Sequence, residues 1–199
     1  MAFDYNKTLN LPKTDFPMRA GLPTREPQIL QQWKEDNVFE ELLKKNEGKP
    51  KYILHDGPPF SNGNIHMGTA LNKVLKDFIN RYKAMCGFYT PYKPGWDNHG
   101  MPIESAIIKA SKLDRKKMSI PEFRDKCREF AESFVNIQRE QFKRLGVLGD
   151  WENPYLTMDP KFEMEEVKVF GEMYRKGYIY KGLKPVYWCT HDETALAEA

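Results

Sequence analysis

The stretch HDGPPFSNGNIHMGTALNK, running from His55 to Lys73, decides the fold because it leads from a short apolar run into a strongly periodic segment. Its first fourteen residues hold two prolines, three glycines and two histidines, more special residues than a simple chain reversal requires. The run KYILHD, residues 51–56, is apolar and flanked by breakers, which predicts a buried strand. The spacing of the apolar residues that follow predicts a helix. Seven of them share one helical face: Met67, Leu71, Val74, Leu75, Phe78, Ile79 and Tyr82.

A second strand is predicted immediately after this helix. Gly87 is of the residue type that commonly ends helices. The segment FYTPYK, residues 88–93, then has the apolar and aromatic content of a strand. A strand, a helix of about twenty residues and another strand form a βαβ unit, whose strands run parallel. The predicted fold class is therefore α/β, with a parallel sheet and flanking helices.

The rest of the chain divides into an N-terminal part and a sheet-bearing part. Residues 1–25 are rich in Pro, Thr and Lys and predict an arm, and apolar spacing over 27–45 predicts an amphipathic helix. We therefore place an arm and helix in residues 1–50 and the α/β domain in residues 51–199. Further helices are predicted over 102–113, 121–145 and 161–177, and a hairpin around Gly182.

Composition restricts the class of protein and its location. The 199 residues are 30% charged and 40% hydrophobic, as in an ordinary globular protein, and the net charge of +3 does not point to nucleic acid. Three cysteines do not form a disulfide framework, which favours a reducing compartment. The N-terminus lacks a secretory leader, and no apolar run approaches the roughly 18 residues that span a bilayer. We expect a cytoplasmic protein without membrane contact; the abrupt end at TALAEA predicts a longer parent.

The junction between the first strand and its helix has the features of a phosphate site. In an open parallel sheet, ligands bind beyond the carboxyl ends of the strands. A helix start there adds backbone N–H groups and the positive end of the helix dipole. His66 can donate a hydrogen bond to a phosphate oxygen, and Thr69 offers a hydroxyl one turn away. The alternative is a turn that carries a structural histidine, since neither a P-loop nor GxGxxG is present.

Prolines and glycines shape the same loop. Pro58 and Pro59 hold the chain extended as it leaves the strand. Gly63 and Gly68 allow either the close approach of a bulky ligand or φ values closed to other residues.

A second loop, PGWDNHGMPIE at residues 94–104, follows the second strand and should lie at the same edge of the sheet. Asp97 could pair there with a substrate ammonium group, and Trp96 could wall an apolar pocket. Taken alone, Asp97 fits a turn or capping residue better than a substrate partner. Two neighbouring loops of this composition favour a ligand site.

These motifs resemble those of a known enzyme family. PPFSNGNIHMG, residues 58–68, is similar to the first signature of class I aminoacyl-tRNA synthetases, His-x-Gly-His after a Pro-rich strand exit. Together with GWDNHGMPIE it resembles the bacterial isoleucyl-tRNA synthetases, whereas valyl enzymes carry a GTDHAG-type segment and leucyl enzymes GWDAFGLPAE. The segments KTDFPMR, RYKAMCGFYTPYKPGWD and KPVYW…TALAEA match the isoleucyl enzymes as well.

The resemblance implies a Rossmann-like domain, of which residues 51–199 are the first half, and a set of substrates. The family uses ATP with Mg²⁺ to convert isoleucine to isoleucyl-adenylate and then acylates tRNA(Ile), and we expect a monomeric parent. His66 and Thr69 would be catalytic. The implied ATP-binding residues are Pro59, Asn62, Gly63, His66, Gly68 and Thr69. The implied amino-acid-binding residues are Gly57, Pro58, Trp96, Asp97, His99 and Glu104, with no metal ligands.

The sequence departs from the family pattern in three respects. Thr69 replaces the second histidine of the signature, and a hydroxyl reaches less far and carries no charge. The KMSKS signature is missing, since KKMSI at 116–120 lies in the wrong part of the chain. The editing domain, by resemblance inserted shortly after TALAEA, is absent as well. The 199 residues by themselves are therefore expected to bind substrates but to be nearly inactive.

Two other function classes compete with this interpretation. Four histidines and several aspartates could form a metallohydrolase site, although no pair has HExxH-like spacing. WCTHDE, residues 188–193, lies where some relatives carry a Cys-x-x-Cys zinc pair, but it supplies at most three of the four ligands that zinc usually needs. A non-catalytic module that binds a nucleotide or tRNA is the remaining alternative.

Overall fold

The computed structural model describes residues 4–10, 15 and 17–196. Residues 13, 14 and 16 of KTDFPMR and residues 197–199 of TALAEA lie outside this described part. Six α-helices are present in it: α1 (Leu22–Glu35), α2 (Val38–Lys45), α3 (Met67–Met85), α4 (Met101–Ser111), α5 (Ile120–Arg144) and α6 (Pro160–Arg175). The strands are β1 (Gly95–Trp96), β2 (Tyr155–Leu156), β3 (Trp188–Cys189) and β4 (Thr194–Ala195). None of the described helices is both long and apolar enough to cross a membrane.

Three extended segments run parallel, with residues 89–97 in the middle. On one side, single bridges pair Lys51 with Tyr89 and Phe60 with Asp97. On the other side, β1 pairs with β2 in parallel register, Trp96 opposite Leu156. The α/β class with a parallel sheet is thereby confirmed, and α3 is the crossover of the predicted βαβ unit.

The two predicted strands of this unit are wrong in extent. KYILHD makes only the Lys51 bridge, FYTPYK makes only the Tyr89 bridge, and the continuous pairing begins later, at Gly95. Prolines explain the interruption, because they lack the N–H that a ladder bond requires. Four of them lie in the paired segments: Pro58, Pro59, Pro91 and Pro94.

Two further elements differ from the prediction. The helix predicted over 27–45 is two helices, because α1 begins at Leu22, within the predicted arm, and the chain turns at Asn37, whose φ is 48°. The hairpin lies at β3 and β4 rather than around Gly182, and residues 178–187 contain no strand.

The helices α3 and α5 face the extended segments. From α5, Val135 and Phe142 pack with Trp96 in the main core cluster, whose other buried members are Tyr92, Val147 and Trp151. Of the apolar and aromatic residues of α5, Phe123 and Phe142 are thus buried in the core, while Ile137 and Leu145 are exposed.

The apolar stripe of α3 is mostly exposed. Its buried residues are Lys73, Asp77, Asn80 and Ala84, three of them polar. Of the seven residues on the predicted apolar face, six are exposed and Val74 is half-buried. Within the described residues, α3 meets the body of the protein through its polar face.

Candidate active site

The two loops singled out in the sequence are joined directly by hydrogen bonds. The amide of Asp97 donates to the carbonyl of Pro59 at 2.9 Å, and the amide of Ser61 donates to the carbonyl of Asp97 at 3.1 Å. The side-chain amide of Asn98 donates to the Ser61 hydroxyl at 2.8 Å. The prediction that both loops lie at one edge of the sheet is confirmed.

His66 is the N-cap of α3. Its Nδ1 accepts from the amides of Gly68 at 3.1 Å and Thr69 at 3.3 Å. In the neutral ring the proton therefore sits on Nε2, which is the nitrogen left to donate to a ligand. Two of the amides at the helix start are occupied by the imidazole. An anion there would depend more on the side chain of His66 than on the bare helix start.

The two glycines of this loop differ in purpose. Neither Gly63 nor Gly68 has a positive φ, so backbone freedom does not explain them. A Cβ at residue 68 would lie 3.0 Å from Cε1 and 3.1 Å from Nδ1 of His66, so glycine leaves room for the capping imidazole. A Cβ at residue 63 would meet nothing within 4 Å. Neither backbone conformation nor neighbouring atoms among the described residues therefore require glycine at 63.

Glutamines from α5 hold the loop in place, and the sequence reasoning missed them. Nε2 of Gln138 donates to the carbonyls of Phe60 at 3.0 Å and Gly63 at 2.7 Å, while its Oε1 accepts from the indole of Trp96 at 2.9 Å. Gln141 accepts from the amide of Ile65 at 3.0 Å. The sequence signal for these residues was weak, because it consists only of two glutamines among the apolar residues of a long helix.

Trp96 and Asp97 have different surroundings although they are neighbours. The indole of Trp96 is fully buried in the core, and its ring centroid lies 6.0 Å from that of Trp151. Trp96 therefore supports the loop from the core side. Asp97 is half-buried, and its carboxylate accepts from the amide of His99 at 3.3 Å. Asp97 therefore makes the turn contact considered in the sequence and still keeps carboxylate oxygen for a ligand.

His99, Glu104 and Asn62 contact other parts of the chain. Nε2 of His99 lies 3.1 Å from the carbonyl of Thr157, beside β2, and the ring is exposed. Glu104, in the first turn of α4, lies 3.6 Å from the Arg115 guanidinium. His99 and Glu104 line a cavity of about 330 Å³ between α4 and α5. The amide of Asn62 reaches the carbonyl of Pro102 at 3.5 Å.

Behind Gly57 lies a charged cluster that the sequence did not reveal. Asp56 is fully buried and pairs with Lys73 and, at 2.8 Å, with Lys76. Burial lowers the pKa of Lys73, while Asp56 opposes that shift. Burial raises the pKa of Tyr155 to about 12, helped by Asp56 and Asp97.

His55 lies apart from the other histidine of the opening stretch. Its ring stacks on Tyr155 with centroids 5.9 Å apart, and no pairing with His66 is present among the described residues. His55 therefore packs at the end of the first strand, against Tyr155.

The metallohydrolase alternative finds no geometric basis in the described ranges 4–10, 15 and 17–196. There, no three His, Cys, Asp or Glu side chains are placed to hold a metal ion. In the WCTHDE loop, the Cys189 thiol donates to the Asp192 carboxylate at 3.2 Å, and the Asp192 amide donates back to Sγ at 3.4 Å. These bonds close a short turn.

Comparison with known proteins extends the resemblance. The chain is 65% identical over 196 residues to the isoleucine–tRNA ligase of Natranaerobius thermophilus and 63% identical to that of Caldicellulosiruptor bescii. Each match covers 98% of this chain but only 21% of the relative, so the chain spans about a fifth of the proteins that it resembles.

A solved structure with the same fold is the ternary complex of the Agrobacterium radiobacter K84 agnB2 LeuRS with tRNA and LeuAMS. It superposes with a TM-score of 0.68 over 89% of this chain and 21% of that one, at 24% sequence identity. This likeness bears on the fold alone and supports the α/β class. The family model described as tRNA synthetases class I (I, L, M and V) matches residues 28–199. Because that match takes in 172 of the 199 residues, the chain belongs to the class I tRNA synthetases.

Proposed function

We propose that the parent of this chain activates isoleucine with ATP and transfers the isoleucyl group to tRNA(Ile). The observation that carries the proposal is the 65% identity to an isoleucine–tRNA ligase, over a stretch that includes both loops of the candidate site. Because the proposed reaction acts on tRNA, we also propose a cytoplasmic location, and we keep the expectation of a monomeric parent.

The first half-reaction requires one bond to form and one to break. A carboxylate oxygen of isoleucine attacks the α-phosphorus of ATP, the bond to the β-phosphate oxygen breaks, and pyrophosphate leaves with Mg²⁺. Groups that stabilise the negative charge developing on the phosphates accelerate this step. His66 would donate from Nε2 to a phosphate oxygen, because its Nδ1 is already bonded to the start of α3.

The two loops would hold the two substrates. Asp97, half-buried, would pair with the ammonium group of isoleucine, and the chain at Gly57 and Pro58 would form the floor beside it. The hydrogen bonds that join Asp97 to Pro59 and Ser61 would keep these subsites adjacent, which gives the proximity that the reaction requires. Gly63, with no heavy atom within 4 Å of a Cβ position, would leave space for the nucleotide.

Thr69 is expected to make activation slower than a histidine would. Its hydroxyl can donate one hydrogen bond, but it cannot carry the positive charge of an imidazolium. The variant Thr69→His in the full-length protein should increase the rate of isoleucine-dependent ATP–pyrophosphate exchange, and Thr69→Ser, which keeps the hydroxyl, should stay near the original rate. An unchanged or slower Thr69→His enzyme would contradict this role.

The test of the proposal as a whole is exchange by the full-length protein and by residues 1–199 separately. The full-length protein should catalyse ATP–pyrophosphate exchange faster with isoleucine than with valine. Residues 1–199 should be nearly inactive because they lack KMSKS. Binding of ATP or isoleucine without any exchange by the full-length protein would instead favour the non-catalytic binding module.

A further inference from the structure

A buried charged cluster lies directly behind the proposed site. The Asp56 carboxylate is fully buried and accepts hydrogen bonds from the ammonium groups of Lys73 and Lys76. The side chains of Lys73 and Lys76 are 2% and 18% exposed. The backbone carbonyl of Asp56 is held too, since the Tyr155 hydroxyl donates to it at 2.6 Å. Asp56 is therefore fixed through both its side chain and its main chain.

The cluster connects the two pieces of chain that the proposed reaction needs together. Asp56 immediately precedes Gly57, and both lysines belong to α3, the helix that His66 caps. Nζ of Lys76 lies 3.8 Å from the position of a Cβ on Gly57. The strand exit and the first half of α3 are thus joined through three side chains.

Stability alone does not account for such a cluster. Burying charges costs solvation, and a buried ion pair is commonly no more stabilising than apolar residues of similar volume. Directional, charge-assisted hydrogen bonds do hold their partners at a defined distance and angle. An apolar contact would allow α3 to slide or rotate against the strand exit.

We propose that Asp56 is a positioning residue, which acts through Lys73 and Lys76 to hold the Gly57 loop and the His66 end of α3 in register. The proposal rests on the proposed function, in which Gly57 lies at the amino acid and His66 at the ATP phosphates. Asp56 itself contacts neither substrate; its effect is on the distance between the two subsites.

The experiment compares two buried carboxylates that pair with groups on or near α3. Asp56→Asn keeps the shape of the side chain and removes its charge. Asp77→Asn is the matched control, because Asp77 is also buried, pairs with Arg81 at 2.6 Å and accepts from the Leu148 amide at 3.0 Å. Both variants of the 199-residue chain are labelled with ¹⁵N, and dissociation constants for ATP and for isoleucine are measured below the onset of unfolding.

Asp56→Asn should weaken binding of both ligands by at least about tenfold, because each subsite then presents its polar groups at the wrong distance and loses the equivalent of one hydrogen bond to a charged ligand. It should also shift the amide resonances of Gly57 and Gly68 together, without ligand. Asp77→Asn should leave binding and both resonances close to those of the original chain, even if it lowers the stability of the chain as much as Asp56→Asn does. Binding by Asp56→Asn close to the original, or equal weakening by Asp77→Asn, would overturn the proposal.

Two further arms keep the result decisive. If Asp56→Asn does not fold, Lys76→Met replaces it; that variant should weaken binding, and Lys76→Arg, which keeps the charge, should restore it. Failure of the arginine variant to bind better than the methionine variant overturns the proposal. If the unmodified chain binds neither ligand, the expectation that residues 1–199 bind substrates by themselves fails, and the function proposed for the parent is decided by its exchange assay. The ligand-free resonances then decide on positioning alone: a joint shift supports it, and a shift confined to Gly57 overturns it.

Discussion

The two roles assigned to His66 can be separated by two substitutions. Nδ1 caps α3, and Nε2 is left for a phosphate oxygen. His66→Ala removes both functions. His66→Asn keeps the cap, because asparagine is among the best N-cap residues and its side-chain oxygen can accept from the same amides. It removes the donor at the Nε2 position, because the NH2 group of asparagine takes the place of Cδ2 of the ring. Unfolding without ligand therefore reports the cap, and ATP titration reports the donor.

The expected magnitudes differ enough to be measured. Loss of an N-cap costs about 1 kcal/mol, which for a chain of this size lowers the melting temperature by roughly 2–4 °C. His66→Ala should show that loss in thermal unfolding followed by circular dichroism, and His66→Asn should remain near the original. A hydrogen bond to a charged group contributes about 1.5–3 kcal/mol, so both variants should bind ATP roughly 10- to 150-fold more weakly.

Each of the two measurements can refute the role of His66 that it tests. Equal melting temperatures for His66→Ala and His66→Asn would show that the bonds to Gly68 and Thr69 do not stabilise the helix start. ATP affinity of His66→Asn equal to that of the original chain would show that Nε2 is not the phosphate donor.

Three other perturbations have opposite or pH-dependent effects on stability. Gly95→Ala should lower the free energy of unfolding in urea by about 1–3 kcal/mol, because the added methyl group would overlap the Tyr155 ring; unchanged stability would show that this ring moves freely. Gly171→Ala, in α6 with nothing within 4 Å of its Cβ position, should raise that free energy by about 0.5–1 kcal/mol, and a loss would contradict the open surroundings. The pKa of Tyr155 is raised to about 12 from its ordinary 10. The neutral Tyr155 hydroxyl therefore contributes its full stabilisation of the folded state below pH 10, and this stabilisation is lost as the pH rises through 12. Tyr155→Phe should therefore lose less stability over that range than the original chain, and parallel curves would contradict the shift.

The neighbourhood of the two loops was predictable because it follows from connectivity. Two short apolar runs separated by one helix can pair in parallel only with their carboxyl ends at the same edge. The Phe60–Asp97 bridge confirms that arrangement. The exact pairing was not predictable, since prolines reduce the first strand to isolated bridges and leave side-chain bonds from α5 to hold the loop.

The orientation of α3 was not predictable from its periodicity. A hydrophobic stripe identifies a face, but it does not say which element that face will meet. In the described residues, Lys73 meets the body through its ion pair with Asp56, and Asp77 through the hydrogen bond from the Leu148 amide, while Phe78 is exposed. Charge pairs between distant segments leave no periodic signal, so sequence patterning could not reveal them.

The sequence by itself determined the family, the parallel α/β class and the helix that follows the first loop, because these depend on motif composition and on the local spacing of apolar residues. Only the tertiary structure decided what holds the site: Gln138 reaches Gly63 across 75 residues, and Lys73 reaches Asp56 across 17. It also decided that Trp96 supports the loop from the core. Such contacts depend on how whole elements pack, and a buried polar side chain takes its partner from that packing.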